Sequence, residues 1–243
     1  MPTQAELNIF ADKLLVPIGN LPPRRLPSKV VGFFARKGDD YDGQLMIVGR
    51  AVNGWSMEVT PAELKDPAVA RNFADRLGHE MTDAKGCPLS WVRDGWGARE
   101  GYNTKKAAFW RVARRTAVEL GIAPESSTDW ASRLAWSNLY KVAPPAGNPS
   151  EAVCSAQQAG CIELLSEELC VFQPQRLLFL TGLWATPFLR ALPWVQREDR
   201  GTTTNVHLIG TIGNAQVVVA THPMTRAEDP WVREVVEAFR SFD

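Results

Sequence analysis

Two apolar runs without polar interruption constrain this chain more than any other feature. Leu45-Met46-Ile47-Val48 stops at Gly49, and Leu177-Leu178-Phe179-Leu180 stops at Thr181-Gly182. A strand with one wet face alternates apolar and polar residues. An unbroken run belongs to a strand covered on both faces, as in parallel sheets between helices. Residues 134–142 read as another core strand. So do 205–209 and 216–221, separated by a glycine-containing turn at 210–213. Helices are expected at 4–15, 67–77, 103–120 and 150–171. Thr186-Pro187 opens a short one, as N-cap and first helical residue, and Asp229 caps a final one. In 103–120, Phe109, Val112, Ala113, Ala117 and Leu120 share a face, and Gly121 ends the helix. Ser150 is the expected N-cap of 150–171. Strand–helix alternation along the chain predicts an α/β fold with a mostly parallel sheet and helices on both faces. Such sheets bind ligands beyond the carboxyl ends of their strands.

Size and charge bound the function. A chain of 243 residues suits one well-buried domain and is short for two, so a single domain over 1–243 is expected. The formal net charge is zero, which argues against coating nucleic acid through bulk charge. Charge is locally uneven. Arg24, Arg25, Lys29, Arg36 and Lys37 fall in 22–37, and Lys105, Lys106, Arg111, Arg114 and Arg115 in 104–115, with no acid in either run. Taken alone, each run reads as a solvated face balanced elsewhere. Most of the nine tryptophans must be core, leaving one or two in loops to stack on a planar ligand. The start of the chain has no charged segment leading into an apolar run, and no apolar stretch nears the ~20 residues of a membrane span. A cytoplasmic protein with no membrane partner is therefore expected. The four cysteines form no C-x-x-C pair, so they read as free thiols with no zinc site.

Three loops at strand ends carry chemistry. Gly49-Arg50-Ala51-Val52-Asn53-Gly54-Trp55 follows the first run, and its glycine lets backbone approach a ligand. Ser137-Asn138-Leu139-Tyr140-Lys141-Val142-Ala143-Pro144-Pro145, then Gly147-Asn148-Pro149, follows the second strand. The Asn138 amide offers a donor beside an acceptor, matching a base edge. Thr221-His222-Pro223-Met224-Thr225-Arg226 ends the last strand. There a histidine can donate to an oxygen gaining charge, on a turn set by Pro223.

Together these loops resemble the uracil-DNA glycosylase superfamily. The match is carried by Asn138, Lys141, Pro144, Pro145, Gly147, Asn148, Glu151, Cys161, Pro174, 177–180 and Gly182, then by His222-Pro223 and by 49–54. It looks most like the iron–sulfur branch. It leaves 1–44 and about 56–130 without counterpart. The resemblance implies a three-layer αβα sandwich around a central, mostly parallel four-stranded sheet, with a pocket for one base. It implies DNA as partner, single-stranded or with a flipped base, and no obligate protein partner. The expected activity is hydrolysis of the N-glycosidic bond of a damaged base such as uracil or hypoxanthine. Asn138 would read the base edge and His222 would stabilise the departing anion. Gly49, Ala51, Trp55 and Pro223 would line the site, with Trp55 either stacked on the base or packed beneath the loop. Met224 or Thr225 would wedge the gap, and Arg226 would hold a phosphate.

Two departures shape the expectation. No cysteine precedes Cys87 and Val142 follows Lys141, so no iron–sulfur cluster, metal or other cofactor is expected. Ala51 stands where the superfamily usually orients water, which leaves Asn53, Asp83 or Asp94 for that role. A non-catalytic base-binding module is the alternative. An unrelated α/β hydrolase or nucleotide-binding protein is disfavoured by the absence of Walker, nucleophile-elbow and G-x-G-x-x-G sequences.

Overall fold

The computed structural model describes residues 2–54, 57–80 and 87–242. The chain forms two compact units. The first comprises Met1–Ala35, Gly49–Lys85 and Ser137–Val171, the second Arg36–Val48, Gly86–Trp136 and Phe172–Asp243.

Ten strands are present among the described residues: β1 Val30–Gly32, β2 Arg36–Lys37, β3 Leu45–Ala51, β4 Glu58–Val59, β5 Ala135–Tyr140, β6 Val142–Ala143, β7 Arg176–Phe179, β8 Trp194–Asp199, β9 Val206–Ile212 and β10 Ala215–Ala220. They build a seven-stranded sheet of order β2-β5-β3-β7-β10-β9-β8 and a three-stranded sheet of order β4-β1-β6. The unbroken apolar runs are as buried as their pattern requires: Leu45, Met46, Ile47 and Val48 in β3 and Leu177, Leu178 and Phe179 in β7 have no exposed surface. β3, β7 and β10 run parallel.

The α/β class is observed, but the expected four-stranded, mostly parallel sheet is corrected. β9–β10, β8–β9 and β2–β5 are antiparallel, and so is every pair of the smaller sheet. The physical reason lies in the turn at 213–214. Ile212 pairs with Ala215, so two residues reverse the chain, and Gly213 takes a φ of +55° to do it. A two-residue turn returns a strand antiparallel, whereas a parallel neighbour needs a crossover of about a dozen residues. β8 escapes a reading by apolar pattern because it is a solvated edge strand, Trp194-Val195-Gln196-Arg197-Glu198-Asp199, with a register shift between Gln196 and Glu198. Charge and a bulge are what keep an exposed edge from pairing with another chain.

In the first unit, Thr3 and Glu6 form a reciprocal capping box that starts a helical segment. It runs through Gln4–Ile9, a π-helical stretch Phe10–Leu15 and Val16–Gly19. The helix Glu151–Phe172 buries Val153, Gln157, Gly160, Cys161, Leu164, Leu165 and Glu168 on one face. Ser150 caps it as expected, its Oγ accepting from the Val153 N–H at 3.4 Å. A side-chain carbon at Gly160 would lie 2.9 Å from the Lys13 carbonyl oxygen, so only glycine lets these two helical segments approach so closely.

In the second unit, Trp91, Trp110 and Trp136 pack with ring centroids 5.2–5.6 Å apart, and Trp130 lies 6.3 Å from Trp110. Trp110, Trp130 and Trp136 are buried there and Trp91 is half-buried, while Trp231 is buried elsewhere in the unit. The helix expected at 103–120 begins later, at Ala108–Glu119. The Asn103 side chain bonds Gly97 and Ala98, and Thr104 Oγ1 donates to the Val92 carbonyl, which ties these residues into the preceding segment. Its buried face is Trp110, Val112, Ala113, Thr116 and Ala117 rather than one led by Phe109. At 186–187, Ala185 is the N-cap and Thr186 already belongs to the helix. Asp229 lies within the first turn of Glu228–Arg240, for which Ala227 is the N-cap.

Candidate functional site

β5 presents two chemistries because successive side chains point to opposite faces. Ser137, Leu139 and then Lys141 share one side; Asn138 and Tyr140 share the other. All six residues of β5 are buried. Asn138 is 3% exposed, and its Nδ2 has no hydrogen-bond partner among the described residues. An amide N–H left unmet in the interior costs about 1–3 kcal/mol, and most buried donors are therefore paired. Among the described residues, that leaves the Asn138 Nδ2 as a donor that a ligand could meet.

The first two loops are joined within the first unit. The Val52 N–H donates to the Tyr140 carbonyl at 3.4 Å, and Gly54 N–H to the Pro145 carbonyl at 3.0 Å. Asn53 Oδ1 accepts from the Gly147 N–H at 3.2 Å. Gly54 and Gly147 adopt φ of +71° and +84°, backbone that glycine reaches without strain. Gly49 is buried, Ala51 is half-buried at the end of β3, and Asn53 is exposed. Thus 49–54 and 140–147 form one bonded assembly following β3 and β5. Trp55 and Asp83 lie outside the described residues. Asp94 belongs to the second unit, where it makes an exposed ion pair with Arg93 at 2.8 Å.

The third loop belongs to the second unit. The Met224 N–H donates to His222 Nδ1 at 3.2 Å. The loop is anchored by Trp231, whose Nε1–H donates to the Thr221 carbonyl at 3.0 Å. Pro223 is buried beside His222, and the Arg226 N–H donates to the Pro223 carbonyl at 3.1 Å, closing the turn. Thr225 sits at φ +67°, left-handed backbone that a β-branched residue adopts only under constraint. Met224 and Arg226 are exposed.

Sequence reasoning missed a polar centre on the other side of β5. Lys141 Nζ donates to Ser137 Oγ and to Glu168 Oε1, each at 2.5 Å, and Ser137 Oγ–H donates to Glu168 Oε2 at 2.6 Å. Lys141 and Ser137 have no exposed surface, and Glu168 is 1% exposed. Burial pushes the Glu168 carboxyl above the ordinary carboxylate range, against the opposing pull of Lys141. Gln157 completes the centre. Its Oε1 accepts from the N–H groups of Lys141 and Val142, and its Nε2 donates to the Val142 carbonyl at 2.7 Å. It stands in for a strand partner at the break between β5 and β6. The available signal was a glutamate and a glutamine on the apolar stripe of the helix Glu151–Phe172. Cys161 lies against this centre, its Sγ–H donating to Gln157 Oε1 at 3.3 Å, and burial raises its thiol to about 12. Among the described residues, no group of three or more His, Cys, Asp or Glu is placed to hold a metal ion. None of their helices is long and apolar enough to cross a membrane.

No protein-family model and no curated protein matches this chain.

Proposed function

We propose that the protein recognises one damaged nucleobase, uracil or hypoxanthine, in DNA and hydrolyses its N-glycosidic bond. The observation that carries this reading is Asn138: a buried amide, on a core strand, whose N–H donor has no partner among the described residues. Supporting it is the bonded pair of glycine-containing loops that follow β3 and β5. In this reading the Asn138 amide pairs with the base edge. The bond from C1′ to the base breaks, the base departs as an anion, and the sugar passes through an oxocarbenium-like state that water attacks. This reading assigns His222 to stabilise the departing anion. Asn53 Oδ1 already accepts from Gly147 and has one lone pair left to orient the water.

One observation favours the second reading, a base-binding module without catalysis. Ala51 has no polar side chain, and Asn53 is engaged in bracing its neighbouring loop. Incubating the full chain with single- and double-stranded oligonucleotides carrying uracil or hypoxanthine, then scoring abasic sites, separates the two. Excision should fall by ~100- to 1,000-fold in His222→Ala. Binding of the damaged strand that disappears in Asn138→Ala, with no abasic site formed by the wild type, establishes the module instead. Neither binding nor excision removes both readings.

A further inference from the structure

The two basic runs, alike in sequence, have different fates in the structure. In the second unit, Arg111 pairs with Glu228 at 2.6 Å and Arg115 with Asp229 at 2.7 Å. Arg114 donates to the Glu125 carbonyl and lies over the Trp96 ring. Two of that run's five cations are thereby matched to acids of its own unit. In the first unit, Arg24, Arg25 and Lys29 are all exposed, and none takes part in an ion pair among the described residues. Glu63, on the turn Pro61–Lys65 that follows Thr60, makes no ion pair with them either.

The backbone holds these cations in place. Arg24 and Arg25 occupy a single 3-10 turn, Pro23–Arg25, whose preceding Pro22 and first residue Pro23 stiffen it. The Arg25 N–H donates to the Pro22 carbonyl at 2.8 Å, and the Leu26 N–H to the Pro23 carbonyl at 3.1 Å. Lys29 Nζ donates to Thr60 Oγ1 at 3.1 Å. The register of the small sheet gives Lys29 its address. Val31 pairs with Ala143 and Gly32 with Val142, antiparallel, so the chain entering β1 from Lys29 lies at the end where β6 departs into Pro144-Pro145. That is the loop bonded to Asn53 and Gly54. Lys29 thus stands at the same end of the small sheet as the loop assembly that follows Asn138, and Arg24 and Arg25 precede it by five and four residues, all three exposed and without an acidic partner among the described residues.

We propose that Arg24, Arg25 and Lys29 form a phosphate-gripping surface for the backbone of a single DNA strand that passes the Asn138 loops. Arginine forks and a lysine point charge are the side chains that bind phosphate oxygens, and they fix position without reading sequence. The choice of DNA as partner rests on the base-excision reading above; the surface itself rests on the charge and its placement.

The test is fluorescence anisotropy of the full chain with a labelled oligothymidine, which contains no damaged base, titrated from about 50 to 200 mM salt. Each single-strand phosphate contact contributes about −0.7 to the slope of log affinity against log salt. Arg24→Gln/Arg25→Gln/Lys29→Gln should weaken binding and flatten the slope by about 2. Lys105→Gln/Lys106→Gln, two exposed lysines of the other run, should leave the slope as it was. Equal flattening in both variants, or none in the first, overturns the proposal. So does an absence of binding by the wild type at low salt. If the first variant loses binding to vesicles of anionic lipid while oligothymidine binding is unchanged, the surface belongs to a membrane and the DNA assignment is wrong. Thermal melts coincident with wild type confirm that the exposed substitutions leave the fold intact. Because the probe offers nothing to excise, failure of this test leaves base excision standing, and failure of excision leaves this slope unmoved.

Discussion

Lys141 and Asn138 stand three residues apart, both buried, and differ in whether their polar atoms are met. Lys141 has Ser137 and Glu168; the Asn138 Nδ2 has no partner among the described residues. Removing one member of a buried ion pair strands the other, at a cost of about 3–5 kcal/mol. Lys141→Met should lower stability by that much in urea unfolding, and Lys141→Met/Glu168→Leu should regain much of it. An unfolding midpoint for Lys141→Met equal to wild type would show that the pair is dispensable. The cysteines separate in the same way by burial. Cys154 is raised to about 11 and Cys161 to about 12, chiefly by desolvation, whereas Cys170 is exposed. A thiol reagent at pH 8 should therefore label Cys170 first in the native protein, as read by peptide mass mapping. Rapid labelling of Cys161 would contradict its burial. The sign of the linkage follows. Both folded values lie above the ordinary 9.0, so the stability held by the protonated thiols is intact below that pH and is lost as pH climbs through about 11 and 12.

At the scale of elements, the close approach at Gly160 makes the sharpest claim. Gly160→Ala places a methyl carbon against the Lys13 carbonyl and the Leu14 side chain. Overpacking of this kind costs about 1–3 kcal/mol, so the melting temperature should fall although alanine is the better helix former. A rise in melting temperature would show that the two segments part without penalty. Helix periodicity was legible: 150–171 anticipates Glu151–Phe172 and its Ser150 cap almost residue for residue. Strand direction was less so. The Gly213-Asn214 pair between two strand-like runs is a hairpin signal in plain view, and it reverses the chain where a parallel neighbour was expected. β2, β4 and β6 are two residues long, too short to show any period, and β8 is too polar to register as a strand.

At the scale of the molecule, the proposed function asks Asn138 and His222 to serve one reaction. If they act on the same base, the combined Asn138→Ala/His222→Ala variant should lose far less activity than the product of the two single losses, because groups that act as a unit are not additive. Multiplicative losses in single-turnover excision would instead assign them to separate events. The sequence by itself determined the α/β class, the buried apolar strands, most helices and the three loops of polar candidates, because each is written in a local period or a short motif. Only the tertiary structure decided the order of the strands, the antiparallel half of the larger sheet and the partners of the buried charges. Lys141 meets a glutamate 27 residues away, and Arg111 and Arg115 of one basic run meet Glu228 and Asp229 while Arg24, Arg25 and Lys29 of the other make no ion pair among the described residues. Such pairings depend on which segments the fold brings together, and no local pattern of side chains encodes that.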